Sequence, residues 1–555
     1  MNLHLRSILS SKENSDFSRG FILAVSLIAL FFACLPLFTV NCIQGHDIDY
    51  HLLRIEALKT GILNGLPFLR VNMLFFGGEG YASSMFYPDF LLYIPALLRA
   101  AGVGINLSFH IFVGFCIIAA FISMYFSVYY ITGRSTSALI SAIAYTLCQY
   151  HIDDIYTRAA VGEYTAFIFL PLIAAGLFDL SEKDFKNPGL LIAGMSGVLL
   201  CHTLSTVFCI ILCVFYVLIH FRGFIGKPAK LLRLMAAALL TILLTAFYWL
   251  PFVEQIRSTE FKYKIAKFDV GYEKLLLREI FENKVGRMGI ALILLVFAAL
   301  LIRHAGDRLI RFADLALAAG LIFMFCTTGF FPWKRLERYV MSVQFPWRLF
   351  IISCLLLSVA AGIYIEKAAG ERKKLAVIAV LAVMAVSAVC NINRTEEGYY
   401  SYSDDYYDVT EYTCTVIGGE WLPITVEKRG KLGRYSEYAF DDKGQKREVI
   451  RGGNTLTVNA VGSEYLDVPF VYYFGYAAKD EEGKPLMLDG SGDNGRIRVY
   501  TSGTESAFIY YPGTPLQKAA DIMSLITLIA VAAVFIRGKC KRGLLFYTLD
   551  FLFPF

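Results

Sequence analysis

The sequence predicts a polytopic α-helical membrane protein of about twelve spans, with a small β-sandwich-like domain near the C-terminus. Three observations predict it. Hydrophobic residues make up 57% of the chain and charged ones 18%, where soluble domains are nearer a quarter charged. Mean hydropathy is +0.56, and the chain offers many runs approaching the roughly 20 apolar residues that a helical span needs. Between residues 392 and 515 the texture changes to short alternating segments separated by polar, glycine-containing turns, which is the pattern of strands.

The elements follow in order. Residues 1–20 are polar and read as a cytoplasmic N-terminus, and Phe21 to Val40 is long enough to cross a membrane. No small-residue cleavage site follows it, so it reads as an anchor rather than a signal peptide. Further spans are expected near 107–131, 136–150, 164–180, 189–203, 204–221, 232–252, 288–303, 312–330, 348–365, 374–391 and 518–537. The basic stretches "FRGFIGKPAKLLR" (221–233), "RHAGDRLIR" (303–311), "EKAAGERKK" (366–374) and "RGKCKR" (537–542) belong on the cytoplasmic side by the positive-inside rule. Two crossings within 189–221 bring all four to one side, together with both termini. The division is then a membrane domain over 21–391 with a first external loop at 41–106, a β-rich extracytoplasmic domain over 392–515, and a last helix and cytoplasmic tail over 516–555. Shorter external pieces fall at 151–163, 253–287 and 331–347.

Within the β-rich part, "NTLTVNAVG" alternates, while "VPFVYYFGYAAKDEEGKPLMLDG" and "GRIRVYTSGTESAFIYYPG" each read as strand, turn and strand. The 12 cysteines form no C-x-x-C pair and lie mostly in apolar runs, where they act as small hydrophobes. Cys414 stands alone in the polar domain, so no disulfide framework is expected. Walker, G-x-G-x-x-G and H-E-x-x-H motifs are absent, so no nucleotide motor or zinc protease is indicated. "GGEG" (77–80) lacks a following lysine and reads as a flexible loop. The net charge of +6 is modest, and nothing points to nucleic acid.

Three clusters could carry chemistry. In "GHDIDYHLLRIEALKTGILNGLPF" (45–68), a helix would put Asp47, His51 and Arg54 on one face and Asp49 on another. Leu52, Ile55 and Ile62 give an apolar side, which predicts an amphipathic helix lying on the membrane surface. A carboxylate beside an imidazole and a guanidinium can act as a general base or hold a metal; the same trio also suits a solvated surface face. In "YHIDDIYTRAAVGEYTA" (150–166), His151, Asp153, Asp154, Arg158 and Glu163 sit at the outer ends of two spans. Ionisable groups there face a cavity or a partner, or else form an ordinary interfacial loop. His202, interrupting apolar sequence, reads as a hydrogen-bonded structural histidine. In "FPWKRLERYVMSVQFPWRLF" (331–350), Lys334, Arg335, Arg338 and Arg348 stand outside, against the positive-inside trend. Arginine binds phosphate through paired hydrogen bonds, so either a specific lipid phosphate or general headgroup binding accounts for them.

The segments "HDIDYHLLRIEALKTGILNGLPFLRVN", "GYASSMFYPDFLLYIPALL", "YTRAAVGEYTAFIFLPLIAAGLFDL", "FYWLPFVEQ" and "QFPWRLF", in this order, resemble bacterial YfhO-like membrane proteins. Relatives of these are also called 6-pyruvoyl-tetrahydropterin synthase-related, although nothing in this composition supports a soluble zinc enzyme. The group is similar to the GT-C superfamily of polyprenyl-phosphate-sugar-dependent glycosyltransferases, whose essential acid lies in the first external loop. The resemblance therefore implies a GT-C-like membrane domain with Asp47 as general base and Asp49 as its rival. His46, His51 and Arg54 would orient that base, and Arg158, Arg335 or Arg348 would bind the donor phosphate. Glu163 and Asp154 would meet sugar hydroxyls. No cofactor is required on this reading; some members use a divalent metal, and no ligand spacing here demands one. The implied partners are a polyprenyl-phosphate sugar and an extracytoplasmic glycan, lipid or protein acceptor, reached at the outer face of the bacterial cytoplasmic membrane. A flippase of lipid-linked glycans and a non-catalytic envelope assembly protein are the competing classes.

Overall fold

The computed structural model describes residues 16–264, 273–302, 307–340, 343–394, 398–404, 419–428, 432–433 and 436–541. The side chains of 338–340 and 535–541 lie outside the description, and so do Cys414, the side chain of Arg338 and residues 1–15. The chain is a multi-pass helical membrane protein with an antiparallel β-domain near its C-terminus.

Each of the twelve apolar runs is helical over most of its length. Among the described residues, six helices are long and apolar enough to cross a membrane: Ile105–Thr132, Val161–Glu182, Arg308–Cys326, Pro346–Ala369, Lys373–Arg394 and Pro515–Val534. Pro228–Leu244 and Ala246–Ser258 make a seventh if taken as one span bent by 70°. By length and composition this is fewer than the twelve expected. The difference lies in shorter elements. Arg19–Ala33, Gly189–Leu199 and Thr203–Ile219 are helices of 15, 11 and 17 residues. Ser135–Thr146 has only 12 residues, all of them buried. Apolar composition reports burial, and a helix sealed among other helices is as apolar as one facing lipid. Close approach seals this one: a Cβ at Gly362 would stand 2.0 Å from Ser141 Oγ and 2.5 Å from Ser137 O. Small residues bring the two backbones together.

The first external loop is ordered. Helix Ile48–Leu63 buries His51, Arg54 and Glu56 along with its apolar residues. It is therefore packed within the protein and does not lie on the membrane surface as expected. Glu56 explains part of this, since it accepts from Arg99 Nε at 2.5 Å. "GGEG" is likewise fixed rather than flexible. Glu79 is fully buried and receives Arg496 Nε at 3.1 Å and Nη2 at 2.7 Å. Gly77, Gly78 and Gly80 have φ of 62°, 95° and 89°, so the glycines serve the loop's path.

Two short strands, β1 (Cys42–Ile43) and β2 (Tyr399–Tyr400), pair across the chain. The β-domain holds β3 (Tyr438–Asp441), β4 (Lys446–Gly452), β5 (Thr455–Asn459), β6 (Tyr465–Val471), β7 (Ala477–Lys479), β8 (Pro485–Leu486), β9 (Leu488–Asp489), β10 (Arg496–Tyr500) and β11 (Ser506–Tyr510). Their order is β8-β7-β11-β5-β4-β3-β6-β10-β9, one continuous nine-stranded sheet in which every pairing is antiparallel. Alternation holds where it was read: Leu456 and Val458 of β5 are buried between more accessible neighbours. The expected hairpin over 495–513 does not form. β10 pairs with β6 and β9, whereas β11 pairs with β5 and β7. Alternation specifies a strand but not its partner.

Candidate functional site

Asp47 is held by backbone on both sides. Gln44 N donates to Gly398 O at 2.9 Å, His46 N to Thr157 O at 3.0 Å and Asp47 N to Arg158 O at 3.0 Å. Gly45 permits this docking, because a Cβ there would lie 2.9 Å from that of Ala159 and 3.0 Å from Tyr156 O. Asp47 occupies the N-cap position of helix 48–63, yet its side chain makes no capping bond. The residue is half-buried. Burial pushes its pKa above the ordinary value, against the opposing pull of Arg158, Arg348 and His46. A raised carboxylate is a stronger base when ionised.

Beside it, two distant segments converge. Arg158 grips Glu163 with two bonds, Nη1 to Oε2 at 3.0 Å and Nη2 to Oε1 at 2.9 Å, and also ion-pairs with Asp154. Arg348 Nε approaches the same Glu163 Oε1 at 3.1 Å. Tyr150 donates to Glu163 Oε2 at 2.7 Å. Trp347 covers the Arg158 guanidinium at 4.4 Å from its ring centre, a cation–π contact. Arg348 also donates through Nη1 to Gln344 at 2.8 Å. Its side chain keeps 17% exposure against 6% for Arg158. Arg348 is therefore the more accessible of the two guanidiniums.

The sequence-derived set divides accordingly. Asp47, Asp154, Arg158, Glu163 and Arg348 come together. Glu163 does not present itself to a ligand, since both its oxygens are occupied by arginines and Tyr150; it is the counter-ion that holds two cations side by side. His51 and Arg54 do not turn towards Asp47. Arg54 ion-pairs with Asp89, donates through Nη2 to Pro88 O at 2.8 Å and contacts His51 Nδ1 at 3.2 Å. Sharing a helix face did not decide their direction, because Asp89 supplies a closer carboxylate. Asp49 is half-buried in the helix's first turn and His46 is exposed. Arg335 is exposed on helix Trp333–Val340, and among the described residues no contact joins it to Arg158 or Glu163. His202 is hydrogen-bonded, its Nδ1 2.8 Å from Ser205 Oγ, and it packs against Gly162, next to Glu163.

Sequence reasoning assigned no role here to Tyr150, to Asp89 or to Arg394. Arg394 closes the end of helix 373–394 by pairing with buried Asp153, whose pKa burial raises to about 7. A basic residue directly after an apolar run was the available signal for it. Among the described residues, no three His, Cys, Asp or Glu side chains are placed to share a metal ion.

These features define a multi-pass membrane protein with a buried arginine–carboxylate cluster beside a half-buried aspartate. The chain belongs to a family of unknown function (DUF6541), whose model matches residues 9–391. The YfhO-like and 6-pyruvoyl-tetrahydropterin synthase-related names find no support in that match. No curated protein matches the chain. Solved structures similar to it include the following three. The mycobacterial arabinofuranosyltransferase AftD has a TM-score of 0.45 and 14% identity over 70% of this chain and 28% of that one. The Archaeoglobus fulgidus oligosaccharyltransferase, complexed with Zn and sulfate, has 0.41 and 13% over 68% and 53%. The same organism's AglB, with an inhibitory peptide and a dolichol-phosphate, has 0.38 and 11% over 68% and 56%. The chain thus spans 28% to 56% of the length of these proteins.

Proposed function

We propose that this protein is a GT-C-type membrane glycosyltransferase. It moves a sugar from a polyprenyl-phosphate donor to an acceptor hydroxyl at the outer face of the membrane, with inversion. The observation that carries this reading is the placement of Asp47 beside the Arg158–Glu163–Arg348 cluster. A base and an anion site lie together, and both come from loops at the ends of apolar helices.

In this mechanism Asp47 takes the proton of the acceptor hydroxyl. The oxygen attacks the anomeric carbon from the face opposite the phosphate. The bond from that carbon to the phosphate oxygen breaks, and its electron pair leaves with the lipid phosphate. Arg348 meets that charge, and Arg158, fixed by Glu163 and Asp154, adds a preorganised positive field. Asp49 is the alternative base, and a divalent metal at the donor phosphate is compatible with the mechanism without being required by it.

The test is transfer by purified protein in lipid nanodiscs, from a radiolabelled polyprenyl-phosphate sugar to envelope glycan fragments. Product that depends on Asp47 and Arg348 supports the reading. Donor movement across a vesicle bilayer without any new glycosidic bond would make the protein a flippase and overturn it.

A further inference from the structure

In "QFPWRL" (344–349), Pro346 confines the residue before it to extended backbone. Phe345 obeys, with φ −122° and ψ 115°. The chain reversal ahead of it falls on Gln344, whose φ is 57°. That is left-handed backbone, disfavoured for any residue with a Cβ and freely taken by glycine. What glutamine adds over glycine here is its amide, and among the described residues that amide bonds only Arg348, accepting from Nη1 at 2.8 Å.

The other contacts of Arg348 leave one donor open. The Phe345 ring centre lies 5.3 Å from the guanidinium carbon. Phe345 stacks on Trp347, with centroids 5.0 Å apart and planes 22° from parallel, and Trp347 covers Arg158. The two guanidiniums thus rest on neighbouring rings of one stack. Nε faces Glu163 Oε1 at 3.1 Å but is buried without a hydrogen bond. Nη2 has no protein partner among the described residues. The turn that carries Arg158 is built in the same way, since the next residue, Ala159, is left-handed at φ 50°. Non-glycine residues held in this region collect at functional sites.

We propose that Gln344 is a positioning residue. It pins Nη1 of Arg348 so that Nη2 faces the donor phosphate, and its left-handed backbone is kept for that bond rather than for the fold. An arginine already held in place loses less side-chain freedom when the anion arrives. Glutamine can hold it without neutralising it, because its amide carries no charge. The part played by Arg348 rests on the transferase reading.

The experiment compares Gln344→Gly, Gln344→Asn, Arg348→Gln and the double variant Gln344→Gly with Arg348→Gln, each as the full chain in lipid nanodiscs. Melting temperature, equilibrium binding of a polyprenyl-phosphate sugar without acceptor, and transfer kinetics are measured. Glycine and asparagine both tolerate the left-handed backbone, but glycine has no amide and asparagine is one methylene shorter. Both single Gln344 variants should therefore bind donor about 3–10-fold more weakly, the usual worth of one lost hydrogen bond. KM should rise to match, with kcat unchanged and melting no lower than in the wild type. In the Arg348→Gln background, Gln344→Gly should weaken binding no further, because it acts through Arg348. Wild-type donor affinity in both Gln344 variants would overturn the proposal. So would an equal loss in the Arg348→Gln background, or a lower melting temperature in Gln344→Gly, which would assign the bond to the fold. Donor binding by the wild type without any transfer would defeat the transferase reading alone, and the binding ratios would then decide on Gln344. A wild type that binds no donor would defeat both.

Discussion

Arg158 and Glu163 meet edge to edge, with two parallel hydrogen bonds of 3.0 and 2.9 Å. Arg348 leans on the same carboxylate from another segment. One carboxylate thus holds two guanidiniums that would otherwise repel. Removing one partner of a buried ion pair costs about 3–5 kcal/mol. Glu163→Gln should therefore lower thermal stability in detergent strongly. Tyr150→Phe, which removes one neutral donor, should cost about 1 kcal/mol. Equal melting temperatures for the two variants would show that Glu163 is not the counter-ion described.

Asp47→Asn keeps the side chain's shape but cannot accept a proton. General base catalysis is worth about 10²–10⁴-fold, so initial transfer rate should fall by that order while donor binding persists. Asp49→Asn should cost less. The pH profile carries a sign as well. The base works ionised, and burial raises its pKa above 3.8. Transfer by the wild type should therefore decline as pH falls through a midpoint above 3.8, and Asp47→Asn should lose that limb.

Arg348→Gln and Arg158→Gln should separate by mechanism. Arg348 is the more accessible cation, so its loss should raise KM for the lipid donor with little change in melting temperature. Arg158 is sealed against Trp347, Asp154 and Glu163, so its loss should destabilise the fold itself. Steady-state kinetics beside thermal unfolding distinguishes them, and a fully stable Arg158→Gln would contradict the packing.

The Glu79–Arg496 pair joins the first loop to the β-domain. Glu79→Gln leaves a buried guanidinium without its charge partner, at a cost of about 3–5 kcal/mol. Limited proteolysis should then release fragments from residues 436–512 faster than from the wild type. An unchanged digestion rate would mean that other contacts, such as Gln255 to Phe474, hold the domain alone.

The outward orientation has its own test. In a cysteine-free background, cysteine at exposed Arg335 should react with an impermeant maleimide on intact cells, and cysteine at exposed Arg372 should not. The reverse pattern would place the site inside the cell.

Much of this was legible because composition and local pattern depend on solvent. The twelve apolar runs became helices, the alternating "NTLTVN" became a strand, and Asp47 and the titratable residues of the second cluster fell at helix ends. What could not be read was direction. Arg54 and Asp47 share a helix face by spacing, yet Arg54 turns to Asp89, 35 positions along the chain. Glu163 looked available to a sugar until Arg348 arrived from 185 residues later. Both outcomes rest on long-range pairing, which periodicity does not encode. The strands β10 and β11 failed as a hairpin for the same reason. Span length was overread where a helix such as Ser135–Thr146 is walled in by protein on every side.

The β1–β2 pairing also bears on how the protein is made. Tyr399–Tyr400 is synthesised long after its partner Cys42–Ile43, and nearly all the membrane helices lie between them in the sequence. The loop that holds Asp47 must therefore wait, without its strand partner, through most of synthesis. At typical elongation of about 5–20 residues per second, that interval is tens of seconds. A chain truncated before Gly398 would keep the bonds from His46 and Asp47 to Thr157 and Arg158 but lose the strand pairing just ahead of them, so the last support of the Asp47 loop is also the last to be made.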